Sequence, residues 1–208
     1  MFDDLRDYAK TFPSQGGVEI GPWLEKYASE VPEGSAIVEL GSWLGGGTAY
    51  LALGAMKSKA EIHVYDRFVC ASEEEQEKAA KFGVKLALGE DTLPRVMTAL
   101  IKFGVGVHYT KNSFKPAIPV KWDDTRIGLY VDDLTKVELL WSHAMKTFRP
   151  HFIPGKTILV LMDYFFYEEK GHNYASQARY MQQRANEFEM IEERLAGTTA
   201  AVFRYVDK

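Results

Sequence analysis

The fold of this chain is decided by the stretch Val38-Glu39-Leu40-Gly41-Ser42-Trp43-Leu44-Gly45-Gly46-Gly47-Thr48, a short apolar run that passes into a glycine-rich turn. Residues 48–56 are apolar almost all round, which predicts a helix buried against a sheet. Glycines let the backbone approach a ligand closely, and the unpaired N–H groups at a helix start favour a carboxylate or a phosphate. The stretch therefore predicts a strand, a turn and a helix with a ligand at the turn. A tight turn without a ligand is the alternative.

The spacing of the glycines narrows the class of ligand. It differs from the G-x-G-x-x-G pattern of dinucleotide sites, and no lysine follows the glycines as it does in a P-loop. Glu39 comes directly before the turn, where its carboxylate would repel a pyrophosphate. A carboxylate at this point suits a ligand that carries an amino group.

Composition limits the class of protein. The 208 residues include 25 Lys and Arg against 29 Asp and Glu, a net charge of −4 that argues against broad electrostatic binding to nucleic acid or anionic membranes. The single cysteine, Cys70, excludes an intramolecular disulfide and fits a reducing compartment. We find no signal peptide at the N-terminus and no apolar run of the roughly 20 residues that span a membrane. The expectation is one cytoplasmic domain over 1–208, without a membrane partner.

Apolar periodicity predicts strands that alternate with helices, beginning with a helical segment within residues 1–34. The predicted strands are 35–40, 62–66, 106–109, 127–131, 157–162, 190–195 and 200–206. The predicted helices cover 20–31, 48–56, a stretch after Ser72, 92–101, 137–148 and 172–187. Alternation implies a mostly parallel sheet, and the last two strands, which have no helix between them, must form a hairpin. We therefore predict an α/β fold, a Rossmann-like, doubly wound, seven-stranded sheet that ends in an antiparallel hairpin.

Polar residues fall where the predicted strands end. In a doubly wound sheet, ligands bind beyond the carboxyl ends of the strands, where the strand order reverses. Asp66 ends the second strand and can accept hydrogen bonds from ribose hydroxyls, although a solvated carboxylate is the alternative. The other strand-end residues are Glu39, Gly41, Asn112, Ser113, Asp132, Asp133 and Asp163.

The order E-L-G-S-W-L-G-G-G-T, then V-Y-D, then a fourth strand ending in Asp and a closing hairpin resembles the class I S-adenosylmethionine-dependent methyltransferases over about residues 18–206. Within that class it is most similar to the small O-methyltransferase-like proteins of the methyltransferase family 24 type. The resemblance implies S-adenosylmethionine as cofactor, the glycine turn holding its methionine part, Asp66 its ribose, and Asn112 with Ser113 its adenine. The implied cofactor-binding residues are Glu39, Gly41, Ser42, Trp43, Gly45, Gly46, Thr48, Asp66, Arg67, Asn112 and Ser113.

The ends of the fourth and fifth strands depart from that subgroup. The fourth reads Tyr-Val-Asp-Asp-Leu-Thr, without the usual glycine and histidine, and Met162 stands where an acid is common in the fifth. In metal-dependent members, acids at these ends bind a divalent cation that lowers the pKa of the acceptor hydroxyl. The resemblance thus implies a Mg²⁺ site at Asp132, Asp133 and Asp163. Without a metal, the candidate catalytic groups that take the acceptor's proton are Asp132, Asp163 and His172.

Methyl transfer to an oxygen of a small-molecule acceptor is the leading interpretation, with the oxygen resting on the resemblance alone. A catalytically inactive module that binds S-adenosylmethionine is the alternative, and the glycine spacing disfavours a nicotinamide-dependent oxidoreductase. The aromatic residues near 164–167 and 174 are candidates for the wall of an acceptor pocket, and packing beneath a loop is the alternative. Residues 72–89, which begin with the capping box Ser72/Glu75, are interpreted as an insertion that caps the cofactor. The sequence is compatible with a homodimer, although no pattern in it identifies the interface.

Overall fold

The computed structural model describes residues 2–14, 19–111, 122 and 125–207. The strands in the described residues are β1 (Ala36–Leu40), β2 (Ile62–Asp66), β3 (Val107–Lys111), β4 (Ile127–Asp132), β5 (Ile158–Leu161), β6 (Phe188–Glu192) and β7 (Ala201–Tyr205). These seven strands form one sheet with the order β3-β2-β1-β4-β5-β7-β6. β7 pairs antiparallel with both β5 and β6, whereas the pairs among β1 to β5 are parallel. The predicted α/β sheet with an antiparallel hairpin is confirmed.

Helices cover both faces of the sheet, as the alternation in the sequence predicts. The helices are α1 (Phe2–Ala9), α2 (Gly21–Ser29), α3 (Gly46–Ser58), α4 (Glu73–Ala80), α5 (Leu93–Leu100), α6 (Glu138–Phe148), α7 (Phe166–Lys170) and α8 (Ser176–Gln183). On one face, α1, α2, α3 and α5 pack over alternate strand residues such as Ile37 and Ile62. On the other, α6 and α8 pack over Val38, Tyr65 and Tyr130.

Element boundaries differ from prediction mainly near the C-terminus. The predicted helix 172–187 is a 3₁₀ turn at His172–Tyr174 followed by the shorter α8, and α7 lies where no helix was predicted. The first hairpin strand begins at Phe188 and ends at Glu192, because the chain turns through Leu195–Gly197 before β7. No helix in the described part of the chain is long and apolar enough to cross a membrane.

The parallel strands β1, β2, β4 and β5 end along one edge of the sheet. Leu40 pairs with both Tyr65 and Asp132, and Asp132 pairs with Leu161. Because these register pairs are consecutive, the glycine turn after β1 lies between Asp66 at the end of β2 and the acidic turn after β4. The strand order reverses at β1 and β4, the position at which this class of sheet binds ligands.

Candidate functional site

The turn between β1 and α3 has an unusual backbone. Gly45 is the left-handed cap of α3, with φ 86°, a conformation that glycine adopts at no steric cost. Trp43 has φ 49°, which is costly for a bulky residue and marks a conformation that its surroundings enforce. At Gly47 a β-carbon would lie only 2.6 Å from Glu39 Oε1, so the helix can approach this carboxyl group only without a side chain.

Asp66 holds this turn in place. Its Oδ2 accepts hydrogen bonds from the backbone N–H groups of Ser42 and Trp43, at 2.8 and 2.9 Å. Its Oδ1 accepts one from the N–H of Phe68 at 2.6 Å. Because a carboxylate has about four acceptor positions, one remains for a further donor such as a hydroxyl group. Asp66 therefore organises the turn and can still contact a ligand.

Glu39 is a buried carboxyl group at the base of the turn. Its side chain is 2% exposed, and Oε2 accepts a 2.5 Å hydrogen bond from Thr48 Oγ1. Burial raises the pKa of Glu39 to about 8, the nearby Asp66 adds to the rise, and the Thr48 hydrogen bond opposes it. Among the described residues, Thr48 is the hydrogen-bond donor to Glu39, and none of the ion pairs reaches it. A ligand with a cationic group would therefore complete its environment.

Two connected clefts lie over these residues. The inner cleft, about 510 Å³, lies beside Glu39 and is also bordered by Pro13, Tyr50 and Met162. The outer cleft, about 720 Å³, is bordered by Asp66, Arg67, Glu75, Thr92 and Lys136. Both clefts are lined by Gly41, Trp43 and Asp133. The groove thus runs from Glu39 past the glycine turn to Asp66.

The predicted cofactor-binding residues converge on this groove. Those that line it are Glu39, Gly41, Ser42, Trp43, Gly46, Asp66 and Arg67. Gly45 and Thr48 support it from behind, Gly45 as the helix cap and Thr48 through Glu39 and the hydroxyl of Ser42, 2.7 Å away. Asn112 and Ser113, predicted at the adenine ring, lie outside the described residues.

The segment 72–89 borders the outer cleft. Ser72 caps α4 by accepting a hydrogen bond from the N–H of Glu75, while the Glu75 carboxylate bonds to Ala71 N–H and to Arg67 Nη2 at 2.9 Å. Trp43 packs against a small apolar cluster to which this segment contributes Ala79 and Leu86. The segment therefore packs against Trp43 of the glycine turn and places Glu75 at the groove, while a role in capping the cofactor stays a prediction.

Asp132 has a structural role that the sequence did not indicate. It is fully buried and accepts hydrogen bonds from the N–H groups of Leu134 and Thr135, the hydroxyl of Tyr130 at 2.8 Å and the hydroxyl of Thr135. These four donors use all its acceptor positions, and Asp132 does not line the groove. Its geometry does not support the predicted catalytic and metal-binding roles, because it has no free lone pair to offer.

Asp133 and Asp163 do come together, but around a lysine. Lys136 Nζ lies 2.6 Å from Asp163 Oδ2 and 4.0 Å from Asp133 Oδ1. Burial, and then the neighbouring Asp163, raise the pKa of Asp133 well above its usual range. The two carboxylates raise the pKa of Lys136 despite its partial burial. The ammonium group therefore stands between the acids at which Mg²⁺ was predicted, and the three predicted acids do not form a metal-binding cluster among the described residues.

Sequence reasoning missed Lys136. Its only signal was the spacing Asp133-Leu134-Thr135-Lys136 directly after a buried strand. The turn that Asp132 fixes carries the lysine back over the strand ends, where it also lies 5.1 Å above the ring of Phe166.

His172 and most of the predicted aromatic wall lie elsewhere. His172 is exposed on its 3₁₀ turn and lines neither cleft. Tyr164 and Phe165 are buried in the core over β5 and β7. Phe166 is half-buried and stacks edge-on with Tyr174, 5.4 Å between centroids. Only this last pair, next to Lys136, is close to the groove.

Solved structures show which proteins have a similar fold. No protein-family model matches the sequence, and no curated protein is similar to it in sequence. The O-methyltransferase NovP superposes with a TM-score of 0.64 at 14% identity, covering 92% of this chain and 81% of NovP. The methyltransferase PaMTH1 of Podospora anserina, solved with S-adenosylhomocysteine, gives a TM-score of 0.56 at 12% identity, covering 99% and 88% of the two chains. The methyltransferase CcbJ of Streptomyces caelestis gives 0.54 at 12% identity, covering 91% and 97%.

Likeness at such low identity establishes architecture rather than activity. The sheet order, the antiparallel hairpin and the near-complete coverage of each chain agree with one another. This chain has the Rossmann-like fold of the class I S-adenosylmethionine-dependent methyltransferases.

Proposed function

We propose that this protein binds S-adenosylmethionine in the groove and transfers its methyl group to an oxygen of a small-molecule acceptor. The observation that carries the proposal is Glu39, a buried carboxyl group with one hydroxyl donor among the described residues and a pKa of about 8. Such a group is costly unless a ligand makes use of it. The amino group of the cofactor's methionine part is a fitting partner for it.

The residues present fit the rest of the cofactor. The inner cleft lies beside Glu39, and Gly47 presents no side chain to the carboxyl group there. The outer cleft offers the remaining acceptor position of Asp66, which suits a ribose hydroxyl. Because the clefts meet at Gly41, Trp43 and Asp133, one extended ligand can contact both.

S-adenosylmethionine, held by Glu39 and Asp66, would supply an electrophilic methyl group on its sulfonium, with S-adenosylhomocysteine as the leaving group. The chain then has to align the acceptor and take one proton. Asp133, whose pKa burial and the neighbouring Asp163 raise, is the candidate group to accept that proton. Lys136 stays charged and stabilises the acceptor oxygen as negative charge develops on it. Asp163 positions Lys136 through their 2.6 Å ion pair.

Cofactor titration tests the first half of this proposal. Calorimetry should detect S-adenosylmethionine binding to the wild-type protein and about 100-fold weaker binding to Glu39→Gln, because the variant cannot pair with a cation. NAD serves as the control ligand and should not bind. Binding of NAD alone, or equal S-adenosylmethionine affinity in both proteins, would overturn the proposal.

Turnover tests the second half. A library of hydroxylated small molecules is incubated with the protein and S-adenosylmethionine, and methylated products are identified by mass spectrometry. With an acceptor in hand, Lys136→Met should lower kcat at least about 100-fold while leaving cofactor affinity nearly unchanged. Lys170→Met is a matched control, because Lys170 also lies over Phe166, 5.9 Å away, but on the exposed surface. Cofactor binding without any turnover would instead identify a binding module.

A further inference from the structure

Three metal-ligating side chains meet at the outer part of the sheet, away from the groove. They are Glu61, just before β2, His63 in β2 and His108 in β3. Their ligand atoms all lie within 4.8 Å of one another, and Glu61 Oε2 is 3.2 Å from His108 Nε2. Among the described residues, no other group of three histidine, cysteine or acidic side chains comes close enough together to hold an ion.

The pairing of the strands produces this arrangement. His63 and His108 are direct partners in the parallel register of β2 and β3, so their side chains stand side by side on one face of the sheet. The two rings are stacked, with centroids 4.6 Å apart and planes 17° apart. Glu61 precedes His63 by two residues and so projects to the same face. The cluster is therefore built on the rigid sheet rather than on a loop.

The surroundings hold the ring of His63 in place, whereas the side chains of His108 and Glu61 are accessible to solvent. His63 is half-buried, and its ring meets the edge of Trp122 at 4.7 Å. The side chains of His108 and Glu61 are 53% and 66% exposed. An ion at this position would have protein ligands on one side and water on the other.

This cluster is separate from the groove. His63 lies three residues before Asp66, which corresponds to about 10 Å along the strand, and neither cleft is lined by any of the three residues. His63 and Asp66 also point to opposite faces of β2, because they are an odd number of residues apart. A ligand here would not compete with a ligand at Glu39 or Asp66.

We propose that Glu61, His63 and His108 bind one divalent transition-metal ion, with Zn²⁺ as the best fit, and that water completes its coordination. Two imidazole nitrogens and one carboxylate oxygen form a ligand set that Zn²⁺ uses in proteins. Mg²⁺ and Ca²⁺ prefer sets made entirely of oxygen, so the set discriminates against them. The ion would fasten the edge strand β3 to β2, and its binding free energy would add to the stability of the sheet. This site is independent of the proposed methyl transfer.

The test uses the full-length protein, stripped with a chelator and titrated with ZnCl₂. Calorimetry should find one ion per chain and a rise in melting temperature. His108→Gln and Glu61→Gln change exposed side chains, so both should fold, and His108→Gln should bind Zn²⁺ at least about tenfold more weakly, as expected for the loss of a ligand. His172→Gln removes an exposed histidine elsewhere and should bind like the wild type.

A second measurement identifies the ligands directly. Co²⁺ substituted for Zn²⁺ should give visible absorption bands in the wild type and in His172→Gln, and these bands should be lost in His108→Gln. The proposal is overturned if Zn²⁺ does not bind at concentrations up to about 1 mM, or if His108→Gln binds it as tightly as the wild type.

Discussion

Glu39 and Asp132 are both buried carboxyl groups on neighbouring strands of the sheet, yet their surroundings differ. Asp132 accepts hydrogen bonds from four donors within its own strand and turn. Glu39, one register step away on β1, accepts one bond from Thr48 and borders an open cleft. Burial raises the pKa of both groups, so a raised pKa alone does not distinguish them. The number of hydrogen-bond donors distinguishes them. A buried carboxyl group whose acceptor positions are all used stabilises the fold, whereas one with free acceptor positions beside a cleft is a candidate ligand-binding group.

The largest effect expected from this contrast is on stability. Asp132→Ala would leave two N–H groups and two hydroxyl groups without their acceptor, at a cost of about 4 kcal/mol in the free energy of unfolding. Chemical denaturation measures this value, and the melting temperature should fall by roughly 10 °C.

The adjacent Asp133→Ala is the matched variant. Asp133 borders the groove and faces another acid, Asp163, so its removal should change the free energy of unfolding by less than about 1 kcal/mol. If both variants lost the same free energy of unfolding, Asp132 would not be more important for the fold than Asp133, which borders the groove.

The next effect concerns the close approach of α3 to Glu39. In Gly47→Ala the new methyl group would lie 2.6 Å from Glu39 Oε1 and would push the carboxyl group away from its ligand. We expect cofactor affinity to fall about 100-fold. Stability should change little, because alanine favours the helix by about 0.5–1 kcal/mol relative to glycine. Gly106→Ala is the control, since its β-carbon would make only ordinary contact, 3.6 Å from Glu61. Unchanged affinity in Gly47→Ala would show that the ligand does not reach Glu39.

The same contrast explains how far the sequence could predict the molecule. Strand, turn and helix at 36–58 follow from local periodicity and glycine content, so the sheet and the glycine turn were predicted correctly. Asp132 was predicted to act together with the neighbouring acids. The sequence alone does not reveal that the Asp132 carboxylate is buried and accepts hydrogen bonds from its own strand and turn. Lys136 reaches Asp163 only through tertiary folding.

Two further features depend on information that no single segment contains. His63 and His108 are 45 residues apart, and only the register of β2 with β3 makes them neighbours. Tyr164 and Phe165 were candidates either for a pocket wall or for packing beneath a loop, and the pairing of β5 with β7 buries them in the core, where Tyr164 packs against Phe203. Local pattern therefore predicts the elements, and the packing of distant elements decides which of their side chains are available for chemistry.

The pH dependence of binding gives a smaller effect. The proposed ligand with an amino group would bind ionised Glu39, whose pKa of about 8 leaves it mostly protonated at pH 6. Affinity should therefore rise by about tenfold per pH unit below the pKa. Calorimetry with S-adenosylhomocysteine between about pH 6 and 7.5, below the titration of the ligand's own amino group, measures the slope. Glu39→Gln should have no slope, and a wild-type affinity that is independent of pH would contradict the assignment.

Stability without a ligand should change in the opposite direction. Because the folded pKa of Glu39 is raised from 4.5 to about 8, its contribution is fully present below about pH 4.5 and is lost as the pH rises through about 8. The free energy of unfolding of the wild type should therefore decline relative to Glu39→Gln over this range. Parallel curves for the two proteins would mean that Glu39 titrates normally.

The smallest effect concerns Thr48, the hydrogen-bond donor to Glu39 among the described residues. The hydroxyl of Thr48 lowers the pKa of Glu39 through its hydrogen bond, so Thr48→Val, which keeps the shape, should raise that pKa further. The pH profile of cofactor binding should move upward by less than about one unit, and affinity at pH 7 should fall by less than about tenfold. Thr48→Ser retains the hydroxyl and should reproduce the wild-type profile. If serine and valine shift the profile equally, the packing of Thr48 rather than its hydrogen bond controls Glu39.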